Sequence, residues 1–228
     1  QTITFVAKRE GDEHARLYGI STDGGEARVL AEPNGPVRGY SFSPDGEQVA
    51  MVIAPPEPDE VSELKDQGFS QIIFEEQWRA NVLVIQTLGG EEKTLEIDGS
   101  VQQVQWSPAG DRLAISVTPR QLVDDTLMFQ RIRIITPDGD LIGRVDNPGK
   151  LGAMAWSPSG AHLAFLGTTV VRDPREGRLL VAGQDGGEFV ELMPGLEGHV
   201  WHLDWRGNEI VFVSFEGVKT RLGTIAPN

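Results

Sequence analysis

The sequence predicts an all-β fold assembled from a repeated antiparallel unit, and three observations carry that expectation. An aromatic, a tight turn and an apolar strand recur as FSPDGEQVAMV from Phe42, WSPAGDRLAIS from Trp106 and WSPSGAHLAFL from Trp156, with a worn copy, WRGNEIVFVS, from Trp205. A second phrase keeps step with the first: STDGGEARVL from Ser21, QTLGGEEKTL from Gln86, ITPDGDLIGRV from Ile135 and GQDGGEFVEL from Gly183. The aromatic anchors lie 64, 50 and 49 residues apart, and the Thr or Gln before each second turn 65, 49 and 48 apart. Two markers thus agree on a unit just under fifty residues, with one copy enlarged.

Each marker has a physical reading. In Ser-Pro-x-Gly the Ser suits the first position of a type I turn. Pro44, Pro108 and Pro158 fix φ at the second, and Gly46, Gly110 and Gly160 suit the fourth. The strand after the turn reads VAMV or LAIS, nearly all apolar, as expected of a strand covered on both faces. The Asp-Gly and Gly-Gly turns close a second hairpin, which joins a mixed strand such as Arg131–Ile135 to a polar one such as Glu91–Ile97. Burial should therefore fall from the first hairpin to the second. A four-stranded blade radiating from a central axis has that gradient, so the predicted architecture is a β-propeller.

The blades are expected over residues 3–32 (partial), 37–98, 101–147, 151–193 and 199–228 (partial). The first lacks an innermost strand and the fifth an outermost one. With two open edges and an initial Gln, the expectation is part of a larger ring, against an irregularly closed five-bladed one.

Composition agrees. Hydrophobic content is 39% with 27 glycines, as suits a turn-rich β chain. No run approaches the length of a membrane span. The absence of cysteine excludes disulfides, thiolate zinc sites and a cysteine nucleophile. Neither a metal site nor a cofactor is predicted. The net charge of −14 makes nucleic acid a poor partner, because phosphate binding needs a basic track. It suits either a solvated surface or cationic ligands.

The enlarged blade departs most from the pattern. Its excess of roughly 15 residues lies in the insertion at 55–79. Pro55, Pro56 and Pro58 stop a strand. Asp59 is expected to cap a helix over 60–67 and Gly68 to end it. Val61 and Leu64 share a helical face that should pack on the blade. Ile72, Ile73, Phe74 and Trp78 add apolar surface, with Glu75 and Glu76 adjacent among them and Arg79 following. Long insertions in such rings usually decorate a ligand-binding face.

The WSPxGxxLAF hairpin followed by an x-DGGE turn resembles the repeat of TolB-type propellers. The same repeat builds the propeller of prolyl-oligopeptidase-family serine peptidases, including dipeptidyl- and acylaminoacyl-peptidase types. The likeness covers nearly the whole chain. Phe42 varies the aromatic, and Trp205-Arg206-Gly207-Asn208 has lost Ser-Pro. The insertion GFSQIIFEEQWRANVLVI is also similar to that of bacterial peptidases of this family. The resemblance implies a non-catalytic propeller that caps an α/β-hydrolase domain of the same parent and filters peptide substrates.

Catalytic residues are not expected in this chain. No Gly-x-Ser-x-Gly elbow occurs, so an implied nucleophile lies outside it. In dipeptidyl-peptidase relatives adjacent propeller glutamates hold the substrate's amino terminus. Glu75 and Glu76 resemble that pair, and two carboxylates can grip one ammonium. Here the pair leads into a blade's third strand, unlike the family pattern. It is either such a grip, with Arg79 beside it, or a solvated acidic step paired with Arg79.

Other candidates point to structure. Trp106, Trp156 and Trp205 recur once per blade as core wedges. His199 and His202, three apart on a strand, should face opposite ways. His14 and His162 have no ligand set around them. Asp124, Asp125 and the loop Arg172–Glu176 share a rim with the insertion and line any working face. Two functions are expected from the whole: a substrate-gating propeller of a prolyl-oligopeptidase-type serine peptidase, or a stand-alone TolB-like scaffold that binds a protein partner in the bacterial envelope. Either favours a periplasmic or secreted location over the cytoplasm.

Overall fold

The computed structural model describes residues 1–69, 71, 73–76 and 78–227. Ile72 lies outside the described residues. The chain forms five antiparallel sheets in sequence order. Blade one holds β1 (Thr2–Ala7), β2 (Arg16–Ser21) and β3 (Arg28–Ala31). Blade two holds β4 (Val37–Phe42), β5 (Gln48–Ile53), β6 (Val82–Thr87) and β7 (Glu92–Leu95). Blade three holds β8 (Ser100–Trp106), β9 (Leu113–Thr118), β10 (Arg131–Ile135) and β11 (Leu141–Arg144). Blade four holds β12 (Leu151–Trp156), β13 (His162–Gly167), β14 (Arg178–Gly183) and β15 (Gly186–Glu191). Blade five holds β16 (His199–Arg206), β17 (Glu209–Glu216) and β18 (Lys219–Ile225). Each blade is a meander of neighbouring strands.

The Ser-Pro-x-Gly turns form as their chemistry dictates. The amides of Gly46, Gly110 and Gly160 donate to the carbonyls of Ser43, Ser107 and Ser157 at 2.9, 3.0 and 2.8 Å. The three glycines take φ of 73°, 77° and 75°, the left-handed region where a side chain is disfavoured.

The apolar strands that follow are buried on both faces. Every residue of β9 is buried, and so are all but the first of β5 and β13. Alternation sends their side chains to two different cores. Val49, Met51 and Ile53 pack between blades one and two, whereas Ala50 and Val52 pack between blades two and three. Leu163 and Phe165 pack toward blade three, Ala164 and Leu166 toward blade five. The four hydrophobic clusters are thus seams between consecutive blades. Among the described residues none joins blade five to blade one.

The aromatic anchors tie the seams. Trp106 and Trp156 are buried. The indole Nε1 of Trp156 donates to the Gln105 carbonyl at 3.2 Å, and that of Trp205 to the Ala155 carbonyl at 3.0 Å. Trp106 instead donates its backbone N–H to Ser41 Oγ at 2.9 Å. Between blades one and two, Tyr40 Oη donates to the Thr4 carbonyl at 2.9 Å. The recurring tryptophans are architecture.

The insertion departs from its expected packing. Helix α1 spans Asp59–Asp66, with Pro58 rather than Asp59 at the N-cap and no side-chain cap bond. Asp59 already lies in the first turn, where its charge suits the helix dipole. Gly68, at φ 92°, follows the helix as expected, its N–H on the Lys65 carbonyl. No residue of α1 is buried, and Leu64 is exposed. Instead of a blade, its apolar side meets Phe69 and Ile73 of the same insertion around a small hollow.

Candidate functional site

The connections at one end of the blades set that end apart. Residues 54–81, 119–130 and 168–177 join the second and third strands of blades two, three and four, and all leave the same rim. The start of each first strand lies at this rim too, because antiparallel pairing places it beside the end of the second strand.

A β-bulge recurs there. Register between first and second strands slips between Val37 and Gly39, Val101 and Gln103, Leu151 and Met154, and Val200 and His202. The displaced residues are Arg38, Gln102 and Trp201, with Gly152 in the blade-four irregularity. Each stands four residues before its aromatic anchor. Bulges re-aim side chains and concentrate beside binding sites. The bulge also changes one sequence expectation. His199 pairs with Phe215 and His202 with Val213, so the extra residue brings the two histidines to the same face. Among the described residues no group of three potential metal-binding side chains occurs.

Between blades two and three the rim opens into a groove of about 490 Å³, whose lining includes Arg38, Trp78, Arg79, Asn81, Gln102 and Gln121. Its floor is a polar network. Gln121 Oε1 accepts from Ser100 Oγ at 2.6 Å, Gln102 Nε2 at 2.5 Å and Asn81 Nδ2 at 3.3 Å. Gln102 Nε2 also donates to Thr118 Oγ1 at 3.2 Å. Ser100 and Thr118 are fully enclosed, and Asn81 is buried. The network satisfies groups that would be costly to bury alone and holds the two glutamine amides in place.

The sequence-predicted site residues lie around this groove without all joining it. Arg79 lines it and donates to the Pro56 carbonyl. Glu75 and Glu76 are exposed, and Glu75 adopts φ 62°, an uncommon conformation for a non-glycine residue. Neither glutamate lines the groove. In the neighbouring blade's loop the Arg120 guanidinium is held more firmly protonated chiefly by hydrogen bonds to Asp125, with a smaller contribution from the charge of Glu75. Arg120 Nε donates to Asp125 Oδ2 at 2.8 Å, and the carboxylate is buried. Asp125 is therefore a loop anchor in α2 (Val123–Met128), while Asp124 stays exposed in its first turn.

In blade four, Asp173 Oδ2 accepts from the Thr169 amide at 3.1 Å and shapes the loop. Arg175 stacks over the exposed Trp201, 5.1 Å from its ring centroid. Trp201 in turn meets Phe215 and His199 at 6.0 and 6.3 Å. His14 Nε2 sits 2.7 Å from the Pro33 carbonyl, a structural contact. The bulge residues Arg38, Gln102 and Trp201 escaped the sequence reading. Their signal was there: a fixed place in the repeat, before each anchor, where residue type changes from blade to blade.

Comparisons with known proteins fit this architecture. No family model matches the chain. It is 28% identical over 203 residues to tricorn protease homolog 1 of Streptomyces coelicolor, covering 84% of this chain and 16% of that protein. A prolyl endopeptidase structure superposes with a TM-score of 0.66 at 15% identity, covering 99% of this chain and 32% of the other. TolB from Acinetobacter baumannii superposes with a TM-score of 0.56 at 13% identity, covering 94% of this chain and 49% of the other. The chain spans less than a fifth of the length of the curated relatives it matches. What these likenesses share with the repeat and the stacked blades is the fold: the chain is built of β-propeller blades, an architecture it has in common with TolB.

Proposed function

We propose that the chain is the substrate-gating propeller of a prolyl-oligopeptidase-type serine peptidase, whose hydrolase domain and nucleophile lie outside it. The fold likeness to a prolyl endopeptidase across 99% of the chain carries this reading. The sequence relative named as a tricorn protease homolog supports it, and so does a rim decorated by loops on several adjacent blades. The five sheets would then be consecutive blades of a larger ring, residues 1–228 forming one propeller segment. Partners would be the hydrolase domain and a peptide. Location would be periplasmic or secreted; among the described residues no helix is long and apolar enough to cross a membrane.

On this reading Glu75 and Glu76 grip the ammonium of a substrate's amino terminus, with Arg79 beside them. Their exposure and position in the insertion support the role. The gene's full reading frame is the first test. A continuation with Gly-x-Ser-x-Gly on a hydrolase pattern is expected; a stop soon after one further strand would sink the proposal. In the peptidase itself, Glu75→Gln with Glu76→Gln should remove cleavage of amino-terminal dipeptides. Unchanged cleavage would dismiss the glutamate role alone. The second reading, a TolB-like scaffold for a protein partner, is favoured by the TolB superposition over 94% of the chain, and the early stop would select it.

A further inference from the structure

The groove between blades two and three has a donor and acceptor pattern that specifies a ligand. Gln121 Oε1 is occupied by its three donors. With its oxygen held on the floor, the NH₂ of the same amide is left as a donor for the groove that Gln121 lines. Gln102 is set in the opposite sense. Its Nε2 points down to Ser100, Thr118 and Gln121, which leaves Oε1 facing the groove as an acceptor. Arg38, thrust out by its bulge, and Arg79, held on the Pro56 carbonyl, add two guanidinium groups. Among the described residues neither arginine makes an ion pair within 4 Å. Glu57, which feels Arg79 at longer range, is bonded chiefly to Lys65.

Two cations, one of them held on the Pro56 carbonyl, and one amide donor beside a single acceptor match one chemical group well. A carboxylate takes the donors, in the bidentate manner guanidinium favours. An N–H on the carbon next to the carboxylate takes Gln102 Oε1. A phosphate has no N–H to offer, and the net charge of −14 repels polyanions at long range. Trp78 supplies an apolar wall for the adjoining side chain. We propose that this groove binds the carboxyl-terminal end of a peptide, its carboxylate on Arg38, Arg79 and Gln121 and its last amide N–H on Gln102. The assignment goes beyond the gating reading and does not rest on it, because binding needs only this chain.

Calorimetry on the chain with N-acetyl-trialanine tests it, beside the same peptide as its carboxamide. The free acid should bind with a Kd below about 1 mM, and the carboxamide about tenfold or more weaker. Arg38→Gln should weaken the free acid by about 10- to 100-fold, as expected for loss of a charged hydrogen bond. Gln121→Glu is sharper: one carboxylate oxygen keeps the floor bonds while the other replaces the groove donor, so the free acid should no longer bind. N-acetyl-glutamic acid α-amide, which carries only a side-chain carboxylate, should bind more weakly than the free acid. Acid and carboxamide binding equally, no saturation by either, an unaffected Arg38→Gln variant, or tighter binding of the side-chain carboxylate would each overturn the proposal. If Gln121→Glu does not fold, Arg38→Gln decides, since that side chain is exposed. A failure here leaves the gating proposal standing, because no hydrolase enters the assay.

Discussion

The two ends of each first hairpin obey different rules. At the Ser-Pro-x-Gly end, blades two, three and four use the same residues, the same turn and the same glycine conformation. At the bulge end, the backbone irregularity is shared but the side chain is Arg, Gln, Gly or Trp. Where sequence and geometry repeat together, the residue serves the fold. Where geometry repeats and sequence does not, the position is free to serve recognition.

Four changes would break or sharpen that contrast. Phe165→Ala, at a fully enclosed position between blades three and four, should cost about 3–5 kcal/mol in urea unfolding. It should leave the groove between blades two and three intact in the folded fraction, because a stacked array transmits damage mainly to neighbours. Gly160→Ala tests the turn end. A Cβ there would meet nothing nearer than Pro108 at 3.8 Å, so the expected loss of about 1–2 kcal/mol reflects the left-handed backbone alone. Arg38→Gln tests the bulge end. Thermal unfolding should show a stability change within about 0.5 kcal/mol, although ligand binding suffers. A large loss would make Arg38 a structural residue and erase the contrast.

The smallest effect concerns Asp45 in the blade-two turn. The Ser43 hydroxyl first, and then the Glu47 amide, hold its carboxyl below the ordinary 3.8. A depressed folded value means that the stabilisation is present above the unfolded value and disappears as pH falls through the folded one. Ser43→Ala should move the Asp45 midpoint back up toward 3.8 in a carbon-detected NMR titration. An unmoved midpoint would show that the hydroxyl does not set it.

What could be read in advance follows the range of the interactions. The Ser-Pro-x-Gly turns and doubly buried strands are written in adjacent residues, so turn chemistry and alternation located them. The bulges depend on how two strands pair, and a pairing slip leaves no local mark. For that reason His199 and His202 were expected on opposite faces. The groove is further from the sequence still: Gln121 and Asn81 meet only because two loops leave the same rim. In α1 the periodicity of Val61 and Leu64 was visible, but a short apolar stripe does not say what covers it. The adjacent Phe69 and Ile73 took the place expected of the blade.

Four bonds from the aromatic residues of the first strands run from a later blade back to an earlier one, although Gln103 of blade three also donates forward to the Gly152 carbonyl of blade four. Tyr40 donates to Thr4, Trp106 to Ser41, Trp156 to Gln105 and Trp205 to Ala155. In each case the donor belongs to the later blade and the acceptor to the earlier. During synthesis a new blade therefore meets an acceptor that is already made, and its anchor waits for nothing downstream. Because these aromatic residues find their partners in a blade already made, they suit assembly in the order of translation, each blade closing on its predecessor as it emerges.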